Sequence, residues 1–552
     1  MRHALVLATV LLAAGCAVGP SAKSPAPPET ARTKAAPAAP ADPEAMTEVT
    51  DAETGQKLNR VPKVARAYYA ANGILRNRVL GQDNALVITK EDAEAWYVVA
   101  PVLSMPQSEV ESIRAEKLKA ADAPMEVPAE ELDVVTPPIS KVRLGLKEIS
   151  QGLPTAGYWR QNFAVADLDG DGKLEIVTPP ARLTVGTLKA FKFENDAWKD
   201  LPLVFDLPEG RQFEYGGVAA ADIDGDGRVD LVAVAHGPAG GPMIARNLGG
   251  LHFRVETKGM PAAISSRAVA IGDLNGDGRP DILTLADDSE YMARQALGYN
   301  PTAMDPIEKG LSPGYDVRSF MQAADGTFKE NHVGLDAACF GYAVEIWANP
   351  PDGGEPFFAT DCRYSGRTMV VYGYDRGAGS FHRVGLDFGE ALAIHTGVGL
   401  GLYQGHPAAF MGYVKAGPGN LPQRIDGAGV SAFYREGGEW KRKRVVKFLN
   451  DSAALSQGIA VGDLDGDGLD DVAWADETHH KVRIFFQQPD GGFEELDPSL
   501  EPSYVNRATS LRVADVDGDG KKDIILMYET GTGYRTRSGG LRFFKNLGPQ
   551  NK

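Results

Sequence analysis

The chain has little basic charge and no long apolar stretch after its first residues. Its 552 residues carry 57 Lys and Arg against 74 Asp and Glu, a formal net charge of −17. Nucleic-acid binding needs a basic surface, so this balance argues against a nucleic-acid partner. After residue 16, no segment approaches the ~20 continuous apolar residues that span a bilayer.

Cysteine is also scarce, and the first of the three cysteines ends an export signal. Residues 1–16, MRHALVLATVLLAAGC, have a basic start, an apolar stretch and small residues before Cys16, as in a secretory signal peptide. The segment LAAGC resembles a bacterial lipobox, which implies that Cys16 is lipidated and attaches the protein to a membrane. A plain signal peptide is the alternative. By the same resemblance, Ala17 favours the outer membrane, at its periplasmic face or the cell surface.

Two regions follow this signal peptide before any repeat begins. Residues 17–46 are rich in Pro and Ala and predict a semi-extended tether. In residues 47–139, Thr89 with Asp92 and Ser108 with Glu111 match the capping-box spacing of helix starts. The segments EDAEAWYVVAPVL and SEVESIRAEKLKAA are therefore predicted to be short helices. The region is interpreted as helical or partly disordered, and its sequence indicates no function.

Glycine and proline are abundant, and from residue 163 the sequence repeats. The 63 Gly and 36 Pro favour many tight turns between short strands. Five units of the type VADVDGDGKKDIIL place an acidic loop between two apolar runs. Neighbouring loop starts are 55, 51 and 52 residues apart, apart from one gap of 190. The loops start at Asp167, Asp222, Asp273, Asp463 and Asp515.

A hairpin-like tail of an apolar run, a turn and an aromatic run accompanies each unit. Seven tails occur, and the long gap holds two heads without the acidic loop, residues 341–362 and 397–414. Seven heads and seven tails predict an all-β, seven-bladed β-propeller over residues 140–552, with six or eight blades as alternatives. Residues 141–149, KVRLGLKEI, resemble the second strand of other tails and are predicted to complete the last blade.

The other two cysteines bracket the first of the two heads that lack the acidic loop. If residues 341–362 form a hairpin, Cys339 and Cys362 fall at its open end. An oxidising compartment would then favour a disulfide between them. Two buried free thiols are the alternative.

The acidic loops read D-x-[DN]-G-D-G-x-x-[DE], a pattern that suits a hard divalent cation. Oxygen side chains stand at positions 1, 3, 5 and 9, and position 7 offers a backbone carbonyl. Ca²⁺ takes six to eight oxygens and tolerates irregular loops better than Mg²⁺. An EF-hand is excluded because its position 12 is a bidentate Glu between helices. Here position 12 is Thr178, Ala233, Thr284, Trp474 or Leu526, within strand-like flanks.

Over residues 140–550 these repeats resemble the FG-GAP/VCBS repeats of integrin-α-like propellers. The resemblance implies about five structural Ca²⁺ ions, which would reduce the formal charge from −17 to about −7. The two heads without the acidic loop depart from the motif, which puts metal binding in their blades in doubt. The implied side-chain ligands are Asp167, Asp169, Asp171 and Glu175; Asp222, Asp224, Asp226 and Asp230; Asp273, Asn275, Asp277 and Asp281; Asp463, Asp465, Asp467 and Asp471; and Asp515, Asp517, Asp519 and Asp523. The implied carbonyl ligands are Lys173, Arg228, Arg279, Leu469 and Lys521.

Catalytic motifs are absent: the sequence contains no G-x-S-x-G, H-E-x-x-H or phosphate loop. The favoured interpretation is a calcium-binding, lipid-anchored envelope propeller that acts as a binding or scaffold module for a protein or glycan ligand. The alternative is a propeller enzyme, a polysaccharide lyase or hydrolase, in which calcium is structural. Fold alone does not choose between the two.

Overall fold

Two parts of the chain are described in the structure, which is a computed structural model. The first consists of residues 47–50, 52, 57–62, 66–69, 88–91, 95–98 and 102–105. The second is residues 134–550 apart from 158, 160–161, 182–184, 236–240, 261–265, 287–316, 336–342, 361–369, 385–393, 415–427, 449–457, 477–478, 505–506 and 531–537. Within these ranges no helix has the length and hydropathy needed to cross a membrane.

The second part forms the predicted seven-bladed β-propeller. Each blade contains four antiparallel strands, which follow one another along the chain in blades 1 to 6, whereas the fourth strand of blade 7 comes from the N-terminal side. A short strand, Val204–Asp206, adds a fifth, parallel strand to blade 2. Blades 1 to 3 comprise Ala164–Ala166, Glu175–Thr178, Lys189–Glu194 and Ala197–Leu201; Val218–Ala221, Asp230–Ala233, Met243–Asn247 and His252–Glu256; and Ser266–Gly272, Asp281–Ala286, Val317–Gln322 and Phe328–Glu330. Blades 4 and 5 comprise Val344–Trp347, Phe357–Thr360, Val370–Asp375 and Ser380–Arg383; and Ile394–Tyr403, His406–Val414, Ala428–Glu436 and Glu439–Phe448. Blades 6 and 7 comprise Ile459–Gly462, Asp471–Asp476, Lys481–Gln487 and Phe493–Glu495; and Arg507–Ala514, Asp523–Thr530, Ser538–Pro549 and Leu144–Glu148. Val185–Gly186 and Phe213–Glu214 pair separately.

The ring closes as the sequence predicts, with both ends of the propeller chain in blade 7. Strand Leu144–Glu148 pairs antiparallel with Ser538–Pro549, in a register that sets Glu148 opposite Phe544. Before this strand, Val135 and Lys447 exchange two backbone hydrogen bonds of 3.1 and 2.9 Å. The Ser140 N–H donates to the Glu495 carbonyl at 2.7 Å. The N-terminal segment therefore follows the outer strands of blades 5 and 6 before it completes the ring.

The predicted helices of residues 47–139 are wrong where the structure describes this region. Its residues form strands in two sheets, Thr47–Thr50, Lys57–Pro62, Ala95–Val98 and Ile88–Glu91 in one, and Arg66–Tyr69 with Val102–Met105 in the other. The segment AWYV, predicted to be helical, is strand because aromatic and β-branched residues favour the pleated surface. Local capping-box spacing is a weaker signal than this composition. The second predicted helix, residues 108–121, lies outside the described residues.

The hydrophobic core lies between neighbouring blades. One cluster joins Val177 of blade 1 to Leu231 of blade 2, and another joins Phe486 of blade 6 to Ile524 of blade 7. All four side chains are fully buried. Because each blade presents apolar side chains on both faces, each depends on its two neighbours for burial.

The first strands of successive blades lie against one another around the ring axis. Across that axis, Arg512 of blade 7 reaches Glu345 of blade 4, with 3.1 Å between Nη2 and Oε1. The Arg512 Nη2 also donates to the Asn162 side-chain oxygen at 2.6 Å. Blades 4 and 7 are not neighbours, so this ion pair ties two distant parts of the ring together.

Candidate metal centres

The acidic loops connect the first strand of a blade to the second, so they share one end of the ring. In each loop the position-1 carboxylate accepts backbone N–H groups from the turn it starts. Asp515 accepts from Gly518, Asp519 and Gly520 at 2.9, 3.1 and 2.9 Å. Asp167, Asp222 and Asp273 accept the same three bonds, and Asp463 accepts those of Gly466 and Gly468.

The glycines at positions 4 and 6 make this turn possible. In all five loops both have φ between 75° and 89°, a left-handed conformation that glycine adopts without steric strain. In blades 1, 2, 6 and 7 the turn brings the carboxylates of positions 1 and 3 close to each other. The flanks are strands and position 12 is buried in each second strand, so the exclusion of an EF-hand is confirmed.

The position-9 carboxylate begins the second strand and is completely buried. Glu175, Asp230, Asp281, Asp471 and Asp523 each accept the position-2 N–H of their loop, at 2.8 to 3.1 Å. Burial, reinforced by the neighbouring loop carboxylates, raises the pKa of Asp471 to about 8 and of Asp523 and Glu175 to about 7. The same causes raise the pKa of Asp281 to about 6. A divalent cation bound by the loop would oppose these shifts, because it favours the ionised form.

The loops bring together the side chains that a hard cation needs. In blades 1, 2, 6 and 7 a ligand oxygen from each of positions 1, 3 and 9 lies within 4.8 Å of the others. In blade 3, Asn275 takes position 3, and its side-chain oxygen accepts the Asp277 N–H at 2.9 Å. One carboxyl oxygen of Glu175 is buried without a hydrogen-bond partner among the described residues. This donor set of oxygens fits Ca²⁺; the position-7 carbonyls stay a prediction.

Four amide side chains that sequence analysis missed connect neighbouring loops. Asn247, Gln322 and Gln487 end the third strands of blades 2, 3 and 6, and Asn546 lies near the end of the third strand of blade 7. The backbone N–H of each donates to the position-9 carboxylate of its own blade at 2.7 to 3.0 Å. Their side-chain amides donate to the preceding blade, at the carbonyls of Leu168, Ile223, Leu402 and Leu464. The sequence signal is an Asn or Gln that ends an apolar run before a Gly turn, as in FFKNLG.

Blade 1 makes the corresponding link through backbone. The Leu174 N–H donates to the Val516 carbonyl of the blade 7 loop at 3.1 Å. Hydrogen bonds therefore join the five acidic loops in one unbroken arc, from blade 3 through blades 2, 1 and 7 to blade 6. We call this series of contacts the loop arc.

The two heads that lack the acidic loop stabilise their turns in other ways. In blade 4, Asp352 receives two hydrogen bonds from the Arg435 guanidinium of blade 5, at 2.8 and 2.7 Å. Arg435 is almost fully buried and lies over the rings of Phe357 and Trp440. In blade 5 the strands meet in a two-residue turn at Gln404 and Gly405, both with positive φ. An ion pair and a tight hairpin thus take the place of the acidic loop.

A cavity of about 390 Å³ opens between blades 5 and 6, at the end of the ring opposite the acidic loops. Arg483 lies over the ring of Phe448 at 4.1 Å and donates to Glu495 at 2.6 Å. His479 Nδ1 lies 2.7 Å from the buried Asp476 carboxylate. Burial raises the pKa of Glu501 to about 7, and one of its carboxyl oxygens has no hydrogen-bond partner among the described residues. Sequence analysis singled out none of these side chains as a site.

Cys16, Cys339 and Cys362 all lie outside the described residues. Lipidation of Cys16 and the Cys339–Cys362 disulfide therefore stay predictions.

This protein is a seven-bladed β-propeller. Its blades have four strands, its acidic loops lie at one end of the ring, and its N-terminal strand closes the ring. The chain contains FG-GAP-like repeats: the family model so described matches residues 222–284 and 426–526. These ranges include the acidic loops of blades 2, 3, 6 and 7, so the family resemblance is confirmed. No curated protein sequence matches the chain significantly.

Several solved structures are similar at low identity. The extracellular domain of a putative hybrid two-component system from B. thetaiotaomicron is 12% identical with a TM-score of 0.40, over 72% of this chain and 39% of that one. The V. cholerae biofilm matrix protein Bap1 is 12% identical with a TM-score of 0.35, over 74% and 92%. The periplasmic gluconolactonase of Pseudomonas aeruginosa is 13% identical with a TM-score of 0.37, over 61% and 84%.

Proposed function

We propose that this chain is an exported, calcium-binding β-propeller that acts as a binding or scaffold module for a protein or glycan ligand. The observation that carries the calcium assignment is the common geometry of the five loops. In each, the position-1 acid accepts backbone N–H groups of the turn and the position-9 acid is buried. In four of them the acids of positions 1, 3 and 9 lie within 4.8 Å of one another. Export and attachment to the outer membrane through Cys16 rest on the N-terminal sequence.

Calcium would have a structural role in this protein. Three or four carboxylates within a few ångströms repel one another, and burial of the position-9 acid adds a desolvation cost. A divalent cation offsets both. Affinity of order 10⁻⁴–10⁻³ M, usual for extracellular modules, is sufficient outside the cytoplasm. Binding then stabilises the fold by mass action.

Calcium titration of the chelator-treated protein tests the calcium assignment. We expect calorimetry to detect Ca²⁺ binding and the melting temperature to rise with free Ca²⁺. Mg²⁺ at the same concentration is expected to raise it less, because Mg²⁺ demands near-ideal octahedral geometry. A melting temperature that is the same with and without Ca²⁺ would overturn the assignment.

The ligand-binding role is tested with residues 47–552, which exclude the signal peptide and tether. A glycan array and an envelope-protein pull-down, each with and without Ca²⁺, identify candidate ligands. We expect saturable binding to at least one of them without chemical change. Turnover of every hit is measured by product analysis, and consistent turnover would replace the binding-module proposal with the enzyme.

The enzyme alternative is favoured by one observation, the cavity between blades 5 and 6. A carboxyl group with a pKa near 7 is able to exchange protons at neutral pH, and Glu501 has this property beside the His479–Asp476 pair. A polysaccharide lyase or hydrolase would use such groups as acid and base. If turnover is found, Glu501→Gln should abolish it without unfolding the protein. Retained turnover in Glu501→Gln would remove the cavity as its source.

Lipid attachment has its own test. Labelled palmitate should be incorporated into the full-length chain in a bacterial host and lost in Cys16→Ala. Incorporation that persists in Cys16→Ala would contradict the anchor.

A further inference from the structure

The third strand of each blade with an acidic loop places one residue directly beside the position-9 acid. Strand pairing identifies this residue. The residue just before it in the third strand pairs with the residue just after position 9 in the second strand; in blade 1 these are Phe191 and Ile176. We call it the facing residue. The facing residues of blades 1, 2, 3, 6 and 7 are Lys192, Arg246, Met321, Phe486 and Lys545.

In three blades the facing residue is a cation that contacts the proposed metal ligands. Lys192 Nζ hydrogen-bonds Asp169 and lies 2.8 Å from Asp171 and 3.7 Å from Glu175. Its side chain is only 11% exposed. An ammonium group therefore lies among the carboxylates at positions 3, 5 and 9 of the blade 1 loop.

Blades 7 and 2 repeat this arrangement. Lys545 Nζ hydrogen-bonds Asp517 and lies 3.4 Å from Asp519. Arg246 Nη1 lies 3.1 Å from Asp230 and 3.7 Å from Asp224, and its side chain is 5% exposed. Each of these loops thus has a counter-ion within the fold.

The blade 6 loop has no such counter-ion. Its facing residue, Phe486, is fully buried and apolar, and its position-7 residue is Leu469. Within the described part of the chain, no Lys, Arg or His nitrogen is paired with its four ligand carboxylates, Asp463, Asp465, Asp467 and Asp471. The blade 3 loop falls between the two classes, because its facing residue is Met321 but the partly exposed Arg279 pairs with Asp277.

We infer that the five loops differ in affinity: the blade 6 loop is the strongest Ca²⁺ site, and Lys192, Arg246 and Lys545 weaken Ca²⁺ binding in blades 1, 2 and 7. This inference rests on the proposed calcium binding. A Ca²⁺ ion at these carboxylates must displace or approach a buried positive charge, and like charges at such distances repel strongly. In the metal-free protein the same cations offset repulsion among the carboxylates.

Calcium calorimetry on residues 17–552, which lack the signal peptide and the proposed lipid attachment site, tests the inference, with Lys192→Met as the main variant. The change gives blade 1 the facing residue found in blade 3. We expect wild-type protein to have one site at least ~10-fold tighter than those of blades 1, 2 and 7, equivalent to ~1.4 kcal/mol. Lys192→Met should gain one tight site of similar affinity. Asp465→Asn should remove the wild-type tight site.

The matched control is Lys199→Met, which removes the same charge from the same blade. Lys199 is exposed and pairs only with Glu194 among the described residues, so its substitution should leave the number of tight sites unchanged. Circular dichroism verifies folding, and Lys545→Met provides the same test in blade 7 if Lys192→Met does not fold. A second readout needs no metal: Lys192→Met should lower the melting temperature of metal-free protein more than Lys199→Met does.

The outcomes separate the two proposals. Five equivalent sites in wild-type protein, or equal affinities in Lys192→Met and Lys199→Met, would overturn the inference and leave calcium binding intact. No calcium binding in any variant would overturn both. A new tight site in Lys192→Met alone supports both.

Discussion

Removal of calcium should make the stability of this protein fall as pH rises through neutrality. The groups responsible are the buried position-9 acids, whose pKa values in the fold are about 7 for Glu175 and Asp523 and about 8 for Asp471. The unfolded chain has ordinary values near 4, so between these limits the folded state binds more protons. Stability then decreases as pH rises from about 5 to 8.

The pKa shifts set the size of this effect. A shift from 4.5 to about 7 at Glu175 corresponds to about 3 kcal/mol, since one unit is worth ~1.36 kcal/mol. One kcal/mol moves the melting temperature by roughly 2–4 °C in a domain of 150–250 residues, and by less in a larger one. Because several loops contain such an acid, the melting temperature of the metal-free protein should be lower at pH 8 than at pH 5 by many degrees.

The assay is differential scanning calorimetry of chelator-stripped protein at pH 5, 6, 7 and 8, with and without Ca²⁺. Bound Ca²⁺ would hold the loop carboxylates in their ionised form, so the decline should largely disappear in its presence. A small decline should remain in both series, because burial also raises the pKa of Glu501, which lies away from the loops. A metal-free melting temperature that stays constant or rises from pH 5 to 8 would refute the reasoning.

Three mutational experiments test the contacts that hold the blades together. Gln487→Ala removes side-chain amide hydrogen bonds to blade 5 and to its own loop, and it should lower the free energy of urea unfolding by ~1–3 kcal/mol. The control Gln488→Ala changes the neighbouring side chain, whose amide donates to the Phe486 carbonyl of the same blade, and should lower it little. Arg435→Met removes two charge-assisted hydrogen bonds from the blade 4 turn. We expect the free energy of unfolding to fall by ~2–3 kcal/mol, equally with and without Ca²⁺. A loss that depends on Ca²⁺ would contradict the metal-free role of that turn. For the pair across the ring axis, a double-mutant cycle of Arg512→Met and Glu345→Gln should give a coupling of at least ~0.5 kcal/mol; additive losses would show that the pair does not tie the ring.

Repetition made the propeller predictable from sequence. One acidic loop would be ambiguous, but five at similar spacing, with strand-like flanks and Leu in place of Glu at position 12 of the last, exclude an EF-hand. The closing strand was predictable because residues 141–149 match other tails. Residues 47–139 contain no repeat, so only local signals were available, and the capping-box spacing at Thr89 misled because this residue lies in strand Ile88–Glu91.

The parts of the site that were not predictable depend on contacts distant in sequence. Arg435 replaces the missing loop of blade 4 from 83 positions away, and Asn546 reaches Leu464 across 82. The loop pattern identifies Asp471 as a position-9 ligand, but the complete burial of its side chain follows only from packing against neighbouring strands. The facing residues could have been noticed, since Lys192 and Lys545 occupy the same place in their repeats.

The loop arc divides the ring into two sectors that are held together by different contacts. Five neighbouring blades share a continuous series of hydrogen bonds that includes their proposed ligand carboxylates, whereas blades 4 and 5 are held by Arg435 and a tight hairpin. Depletion of calcium would loosen the larger sector of the ring and leave the smaller one rigid. The surface that spans the boundary between the two sectors would therefore change shape with the calcium level, and so would the contacts of any partner bound across it.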